Sequence, residues 1–342
     1  MTDSSSFILA ADVGGTKANV ALFDPALPGG LSARVVRRAS YPSGAYADFG
    51  DLIEEFLAAN GAARTPIAAA CFGLPGPVID GVCETSNLPW KQVSALELGR
   101  RFSIPKVSLL NDLEATAHAL SALDDSELSR LSRASHAEPG RARAVVAAGT
   151  GLGMAILAPE RNGFRPLASE GGHVEFAPQT ELEIELLRFL QRDLEHVSIE
   201  RIVSGPGLVR VYEFFATRSG ARPNAELVRR VGADAGEAPA RITRAALEAE
   251  CEAASAALEL FIHLYGAVAG NLSLTAYATG GLYLAGGIAP KILRKLQEGA
   301  FMTAFNAKGR LSSVTQRVPV YVVLNEHAPL LGAANYALSS LG

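Results

Sequence analysis

The sequence predicts an α/β protein built from two related halves that face one cleft. Short apolar runs of strand length alternate with longer helical patterns along the 342 residues. A pair of strands joined by a glycine-rich turn also occurs twice, in FILAADVGGTKANVALFD and in ARAVVAAGTGLGMAILAP. Any α/β protein of this size can contain two such hairpins, so the local pattern leaves open whether the halves are related.

The first half begins with two apolar runs around the turn Gly14-Gly15, which is a strong hairpin signal. A helical pattern follows over Phe49–Ala59, and Asn60-Gly61 closes it. The strands predicted in this half are Phe7–Ala11, Ala18–Phe23, Ile67–Phe72 and Val107–Leu110.

The stretch LLNDLEATAHAL starts a helix and supports two interpretations. Asn111 can cap the helix, Glu114 three residues later completes a capping box, and Asp112 suits the positive end of the helix dipole. Alternatively, Asp112 is a catalytic base and Asn111 is its neighbour on a substrate. This stretch alone favours the cap, because such signatures open many helices.

The second half starts after Leu123–Arg143, a polar segment that we expect to be a connecting helix or loop. The strand-turn-strand segment Ala142–Pro159 then repeats the opening pattern. A strand in GLYLAGGIAP and a final strand at Pro319–Leu324 complete the prediction. Helices are predicted around Glu181–Leu190, Arg244–Tyr265 and Lys291–Ala304.

Composition and charge exclude several classes of protein. A net charge of −4 and an isoelectric point near 5.9 give no electrostatic footprint for nucleic acid or an anionic membrane. The N-terminal stretch lacks a basic region, and no apolar run reaches the roughly 18 residues that span a bilayer. Cys71, Cys83 and Cys251 have no metal-binding spacing and are expected to be reduced and buried. We therefore expect a soluble cytoplasmic protein.

Three glycine-rich turns, each directly after a short apolar strand, are the first chemical signal. They are Gly14-Gly15-Thr16, Gly149-Thr150-Gly151 and Gly286-Gly287. Glycine lets backbone N–H groups approach a polyanion, and a threonine hydroxyl adds a donor. One such turn is weak evidence, but three together favour a nucleotide. Asp12 is a candidate for outer-sphere binding of Mg²⁺, or simply for an Asx turn.

Polar residues elsewhere supply candidates for a sugar site. ASEGGHVEFAP places Glu170 and His173 on one glycine-containing loop, although a bland surface loop is equally compatible with this stretch. No cysteine pair follows it, so no direct metal site is expected. Glu200 is a third candidate whose alternative is an exposed helix carboxylate. Asn87 stands close to Trp90, for which packing is the preferred interpretation.

These motifs, in this order, resemble the bacterial glucokinase family of the hexokinase/actin-like ATPase superfamily. The matching stretches cover nearly the whole chain. They are Asp12–Thr16, Asn111-Asp112, Gly149–Gly153, Glu170–Val174, Glu200-Arg201, Ser204–Leu208 and Ala285–Ile288. A related family of repressors and sugar kinases carries a cysteine-rich zinc motif after its Gly-His, and this sequence has none there. Lys17 departs from the asparagine of some members and receives no role.

The resemblance implies a two-lobed actin-like ATPase (ribonuclease H-like) fold and ATP-dependent phosphorylation of D-glucose. Asp112 would be the general base that accepts the proton of the 6-hydroxyl. The sugar hydroxyls would be bound by Asn87, Asn111, Asp112, Glu170, His173 and Glu200. ATP would be bound by Asp12, Val13, Gly14, Gly15, Thr16, Thr150, Gly151, Gly286 and Gly287.

The resemblance also implies a small domain of residues 1–115 and 320–342, a large domain of residues 116–319, Mg²⁺ as cofactor and a homodimer. Glucose and ATP are the expected partners, with no nucleic acid and no membrane. Three alternatives stay open: a sugar-sensing regulator without kinase activity, an actin- or chaperone-type ATPase, and a kinase for mannose or an N-acetylated hexosamine.

Overall fold

The computed structural model describes residues 6–59, 66–85, 88–134, 137–161, 163–218, 227 and 237–341. The chain divides into two compact units. The first consists of Met1–Leu128, Asn162–Pro166 and Asn325–Gly342, and the second of Ser129–Arg161 and Leu167–Leu324. The first unit therefore continues to Leu128, and the domain boundaries predicted after residues 115 and 319 stay a prediction.

The first unit is a five-stranded sheet with helices on both faces and a small three-stranded sheet beside it. The strands are β1 (Phe7–Val13), β2 (Lys17–Phe23), β3 (Val35–Pro42), β4 (Ile67–Leu74), β5 (Val78–Ile79), β6 (Val82–Glu84), β7 (Gln92–Ser94) and β8 (Lys106–Asn111). The helices are α1 (Phe49–Ala58), α2 (Ala95–Phe102), α3 (Asp112–Ala119) and, at the end of the chain, α11 (Ala328–Ser339).

The first predicted hairpin is confirmed. β1 and β2 are antiparallel, and their last paired residues are Val13 and Ala18. β1 then pairs in parallel with β4, and β4 with β8. Asp12 and Asn111 both lie at the carboxyl ends of their strands. Because β1, β4 and β8 are parallel, the two residues stand at the same edge of the sheet.

The first sheet buries apolar side chains on both faces. On one face α1 packs against the strands; Asp48 caps this helix by accepting a hydrogen bond from the Gly50 N–H (2.7 Å). Trp90 lies in this core, 5.3 Å from the Phe49 ring, which confirms its packing role. The other face is covered by α3 and α11. The predicted stop at Asn60-Gly61 lies outside the described residues.

The second unit contains a six-stranded sheet, apart from Leu128 and residues 163–166 of its strands, which are grouped with the first unit. Its strands are β9 (Leu128–Arg130), β10 (Arg143–Ala148), β11 (Leu152–Glu160), β12 (Gly163–Ser169), β13 (Leu282–Ala285) and β14 (Val320–Val323). Its helices are α4 (Glu181–Leu190), α5 (Gly205–Arg218), α6 (Ala238–Leu247), α7 (Glu252–Ala276), α8 (Leu293–Gln297), α9 (Ala300–Asn306) and α10 (Ser312–Thr315).

The two sheets share one strand order. The first reads β3-β2-β1-β4-β8 and the second β12-β11-β10-β13-β14, with β9 added at the edge. In both, the first strand of the repeat forms an antiparallel hairpin with the second and a parallel pair with the fourth. This common order is the arrangement expected of two related halves.

Two predicted helices are wrong as continuous elements. The pattern over Arg244–Tyr265 is divided into α6 and α7, because Ala249 adopts a left-handed conformation with φ of 53°. The pattern over Lys291–Ala304 is divided into α8 and α9 at Gly299, whose φ is 104°. Each break reverses the local backbone twist, which an α-helix cannot accommodate.

Several elements were not predicted, among them β3, α2, α5 and α11. The predicted connection over Leu123–Arg143 is mostly irregular but includes the short strand β9. β3 is an edge strand and α11 is alanine-rich, and both carry a weaker apolar period than the central elements, which explains why these two were not predicted.

One helix in the described part of the chain, α7, is long and apolar enough to cross a membrane by length and composition alone. It is a core helix of the second unit, with 67% of its most apolar window buried. Gly266 and Gly270 allow α9 to approach closely, since a Cβ on them would lie 2.2 and 2.4 Å from the carbonyl oxygens of Phe301 and Phe305.

Candidate functional site

Asn111 and Asp112 stand at the junction of β8 and α3. The Asn111 Oδ1 accepts a hydrogen bond from the Leu113 N–H at 3.0 Å, so the predicted cap is confirmed. The Asn111 Nδ2 donates to the Gly76 carbonyl oxygen at 3.2 Å. The Asp112 Oδ1 accepts from the same Leu113 N–H at 2.8 Å, and the residue is exposed. The helix start therefore orients an exposed carboxylate.

The first glycine-rich turn links β1 to β2. Val13 is buried, whereas Gly14, Gly15 and Thr16 are exposed. The Gly14 N–H donates to the Lys17 carbonyl oxygen at 2.9 Å, which closes the turn. Its backbone N–H groups are thus presented by a short, hydrogen-bonded loop.

Ser43, which sequence reasoning missed, braces this turn from outside. Its side chain is buried, its Oγ donates to the Gly14 carbonyl oxygen at 2.8 Å, and its N–H donates to the Thr16 carbonyl oxygen at 3.1 Å. The only sequence signal was the Pro42-Ser43-Gly44 turn, which gives no indication of its distant partner.

Asp12 is the acidic residue at the end of β1, opposite Asn19 on β2. Burial raises the pKa of its carboxyl to about 6; a hydrogen bond with the Asn19 side chain lowers this pKa, and the negative charge of Asp112 raises it. Two carboxylates of the same unit therefore repel each other here, which favours a cation or a proton between them.

The second glycine-rich turn, between β10 and β11, borders a pocket of about 840 Å³ inside the second unit. Gly149 and Thr150 line it together with Gly287 from the third turn. Apolar side chains such as Leu208, Pro239 and Ile288 form the remaining walls, with Arg244 and Lys291 among the basic residues. Small-molecule pockets commonly measure about 300–1,000 Å³, so this one has the size for a nucleoside.

One glycine in each of the three turns has no structural reason to be glycine. A Cβ added to Gly15, Gly149 or Gly287 would meet no protein atom within 4 Å, and none of the three has a positive φ. Glycine at such positions keeps the backbone open to a ligand. Gly286 differs: its φ is 81°, and a Cβ there would lie 2.4 Å from the Ala148 carbonyl oxygen.

Glu170 and His173 lie at the two ends of a short 3-10 turn, Gly171–His173, that follows β12. Both side chains are exposed, and the His173 Nε2 is 3.8 Å from the Glu170 Oε2. His196, not predicted from the sequence, places its Nε2 2.9 Å from the His173 carbonyl oxygen. The turn thus presents a carboxylate and an imidazole side by side.

Glu200 belongs to the short 3-10 turn Ile199–Arg201 before α5. Its Oε2 accepts a hydrogen bond from the Leu152 N–H at 2.9 Å, so the carboxylate reaches the end of the second glycine-rich turn. The Val174 carbonyl oxygen accepts from the Ile199 N–H at 2.9 Å. The structure therefore brings Glu200, the His173 loop and the Thr150 turn together within the second unit.

Asn87 lies outside the described residues. Among the residues that the structure describes, no group of three or more His, Cys, Asp or Glu side chains is arranged to hold a metal ion.

The chain is similar to known proteins over nearly its whole length. A family model described as Glucokinase matches residues 9–340. A glucokinase of Nostoc sp. (strain PCC 7120) is 37% identical over 340 residues, covering 96% of this chain and 98% of the relative. A glucokinase of Yersinia pestis (strain Pestoides F) is 33% identical over 338 residues, covering 99% and 98%.

Solved structures agree with the predicted fold class. A glucokinase crystal structure from an Antarctic psychrotroph superposes with a TM-score of 0.82 at 31% identity, covering 98% of this chain and 99% of that one. A ROK family glucokinase from Streptomyces griseus, in complex with glucose and AMPPNP, gives a TM-score of 0.65 at 20% identity over 98% and 100%. The actin-like ATPase fold predicted above is confirmed by these similarities.

Proposed function

The chain belongs to the glucokinase family, and on that basis we propose that Asp112 is the general base of an ATP:D-glucose 6-phosphotransferase. The enzyme phosphorylates D-glucose, transferring the γ-phosphoryl group of ATP to the sugar. Phosphoryl transfer needs in-line positioning and charge neutralisation more than covalent help.

The observation that supports the base is the exposed Asp112 carboxylate, which the Leu113 N–H holds at 2.8 Å at the start of α3. The positive end of the helix dipole favours its charged form. An oriented, charged and accessible carboxylate can accept the proton of the 6-hydroxyl as that oxygen attacks phosphorus. Such general base catalysis is typically worth about 10²–10⁴-fold in rate.

We assign the binding of glucose to polar side chains that both donate and accept hydrogen bonds, as sugar hydroxyls do. These residues are Asn87, Asn111, Asp112, Glu170, His173 and Glu200. The exposure of Glu170 and His173 and their 3.8 Å separation support the assignment. A misplaced hydroxyl of an epimer would leave such groups unpaired, which is how the site would select glucose.

ATP is assigned to the three glycine-rich turns and the pocket that two of them border. The residues are Asp12, Val13, Gly14, Gly15, Thr16, Thr150, Gly151, Gly286 and Gly287. The open space at Gly15, Gly149 and Gly287 supports this assignment, because it leaves room for phosphate oxygens against backbone N–H groups. The apolar walls of the pocket suit a nucleoside.

Mg²⁺ is the proposed metal cofactor. A carboxyl whose pKa burial and a neighbouring negative charge raise to about 6, as in Asp12, is stabilised in its charged form by a divalent cation. Asp12 would hold the ion through water, in keeping with the preference of Mg²⁺ for few protein ligands. When bound, the ion would neutralise charge on the phosphates.

Cytoplasmic location and assembly as a homodimer complete the proposal. The net charge of −4 supports the absence of a nucleic-acid or membrane partner.

The decisive experiment measures ATP consumption with Mg²⁺, with and without glucose, for the native chain and Asp112→Ala. We expect glucose-dependent formation of ADP and glucose 6-phosphate, and a loss of about 10²–10⁴-fold in kcat in the variant. Asp112→Asn is the matched control for shape, since it keeps the size of the side chain but removes the charge.

Both variants should retain the native unfolding temperature within a few degrees, because Asn111 still accepts the Leu113 N–H. ATP turnover that ignores glucose would favour the ATPase alternative. A variant that keeps its rate would remove Asp112 from the mechanism.

A further inference from the structure

The backbone of Leu152 is a meeting point of three segments of the second unit. Its N–H donates to the Glu200 Oε2 at 2.9 Å. Its carbonyl oxygen lies 2.0 Å from where a Cβ on Gly172 would be, so the Glu170–His173 turn packs directly against it. Leu152 also ends the second glycine-rich turn and begins β11.

The segment from Glu200 to Gly205 holds the other end of the same turn. The Gly205 N–H donates to the Gly149 carbonyl oxygen at 2.8 Å. The Ser204 Oγ donates to the Glu200 carbonyl oxygen at 2.7 Å and accepts from the Gly207 N–H at 3.0 Å. Both ends of the Gly149–Leu152 turn are therefore bound to one short segment, and its start is Glu200.

We propose that Glu200 positions this phosphate-binding turn as well as binding the sugar, so that the two substrates are energetically coupled through one carboxylate. The inference rests on the proposed function. The Leu152 N–H occupies the Oε2 of Glu200, which leaves Oε1 for a sugar hydroxyl. A sugar bound to Glu200 restricts the motion of its carboxylate and therefore also fixes the Gly149–Leu152 turn in its ATP-binding position. By linkage, bound ATP strengthens the binding of glucose by the same factor.

Two substitutions of Glu200 separate its roles. Glu200→Gln keeps the chain length and an oxygen acceptor for the Leu152 N–H, but it loses the charge. Glu200→Asp keeps the charge but is one methylene shorter, so the carboxylate no longer reaches the Leu152 N–H. Positioning of the turn depends on reach, whereas attraction of a sugar hydroxyl depends on charge as well.

Gly151 offers an independent way to break the same contact. A Cβ on Gly151 would lie 2.6 Å from the Glu200 Oε2, and the φ of this residue is not positive, so an alanine there displaces the carboxylate without backbone strain. Gly44→Ala is the control for the glycine-to-alanine exchange, because its Cβ would meet no protein atom within 4 Å and the residue lies outside the proposed binding sites.

The test is calorimetric binding of AMPPNP with Mg²⁺, in the absence and in the presence of glucose, to the full native chain and these variants. We expect glucose to tighten the binding of AMPPNP to the native chain by about fivefold or more. Without glucose, Glu200→Asp should raise the Kd of AMPPNP about tenfold, the effect of losing one charge-assisted hydrogen bond, and glucose should no longer lower it.

Glu200→Gln should keep the Kd of AMPPNP within about threefold of the native value, because its amide oxygen still accepts the hydrogen bond from the Leu152 N–H. The same variant should bind glucose more weakly, because it has lost the charge. Gly151→Ala should raise the Kd of AMPPNP about as much as Glu200→Asp and more than Gly44→Ala does. It should add nothing when combined with Glu200→Asp.

An unchanged Kd of AMPPNP in Glu200→Asp without glucose would overturn the proposal and leave Glu200 a sugar ligand only. Equal effects of the two alanine variants would also overturn it. If the native chain bound AMPPNP but did not phosphorylate glucose, the proposed function would fail instead, so the two failures are distinguishable.

Discussion

At the scale of single residues, the protonation of the Asp12 carboxyl affects the free energy of unfolding. Its carboxyl is partly exposed and has a pKa of about 6, against 3.8 in an unfolded chain, with burial as the main cause. The folded state therefore binds this proton more tightly than the unfolded state. As the pH rises from about 4 to about 6, the folded state loses stability relative to a chain without this carboxyl.

Asp12→Asn should consequently raise the free energy of unfolding at pH 8 by about 1–2 kcal/mol, discounted for partial exposure, and leave it unchanged at pH 4. Urea denaturation at pH 4, 6 and 8 measures both values. The same variant should lose glucose phosphorylation. A gain in stability of equal size at pH 4 and pH 8 would mean that the charge is not its cause.

Residues whose role is local were predictable from the sequence, and those whose role is tertiary were not. The cap at Asn111 and the glycine-rich turns depend on neighbours within four positions. Ser43 braces the Gly14 turn from 29 positions away, and His196 contacts the His173 carbonyl oxygen from 23 positions away. No period or motif in a single sequence reports such pairs.

At the scale of elements, the start of α3 depends on how closely α11 lies against it. Gly332 of α11 faces α3 so closely that a Cβ would lie 1.7 Å from the Ala115 carbonyl oxygen. His118 of α3 also packs edge-on against Tyr336 of α11 with ring centroids 4.8 Å apart, and burial lowers its pKa to about 4. α3 therefore packs against α11 along its length.

Gly332→Ala should force the two helices apart, lower the free energy of unfolding by about 1–3 kcal/mol and reduce kcat, because α3 carries Asp112. Thermal unfolding and steady-state kinetics check the two effects. Gly44→Ala is the control in the same unit, since its Cβ would meet no protein atom within 4 Å. A native kcat in a destabilised Gly332→Ala would show that Asp112 does not depend on this packing.

Elements with a strong apolar period were predicted well, and their interruptions were not. The central strands β1, β4, β8 and β10 were anticipated because each is a short, nearly continuous apolar run. The break at Ala249 escaped prediction because alanine is the best helix former. Its φ of 53° accompanies a helix-end hydrogen bond from the Glu250 N–H to the Ala245 carbonyl oxygen at 2.9 Å, a conformation that glycine usually adopts.

At the scale of the whole molecule, the α/β class and the repeated hairpin were correctly anticipated, and the shared strand order supports the interpretation of two related halves. A single glycine-rich hairpin in the sequence would not have indicated two related halves. The identical order became visible only once the pairing of distant strands was known.

At this scale we predict that two copies of the chain form a homodimer. Sedimentation equilibrium of the native chain should give twice the monomer mass of 35.8 kDa at micromolar concentration. A mass that stays at one chain over the same range would contradict the proposed homodimer without affecting the proposed reaction.

The position of α11 after the whole second unit in the chain has a consequence for biosynthesis. This helix covers β1 and α3, yet it leaves the ribosome only after residues 129–324. At about 5–20 residues per second, the nascent first unit waits roughly 10–40 s with one face of its sheet bare. The second unit is complete in the meantime. A stop codon just before Ala328 would therefore release a polypeptide whose larger part is finished, while the segment bearing Asp112 exposes apolar surface to chaperones and proteases.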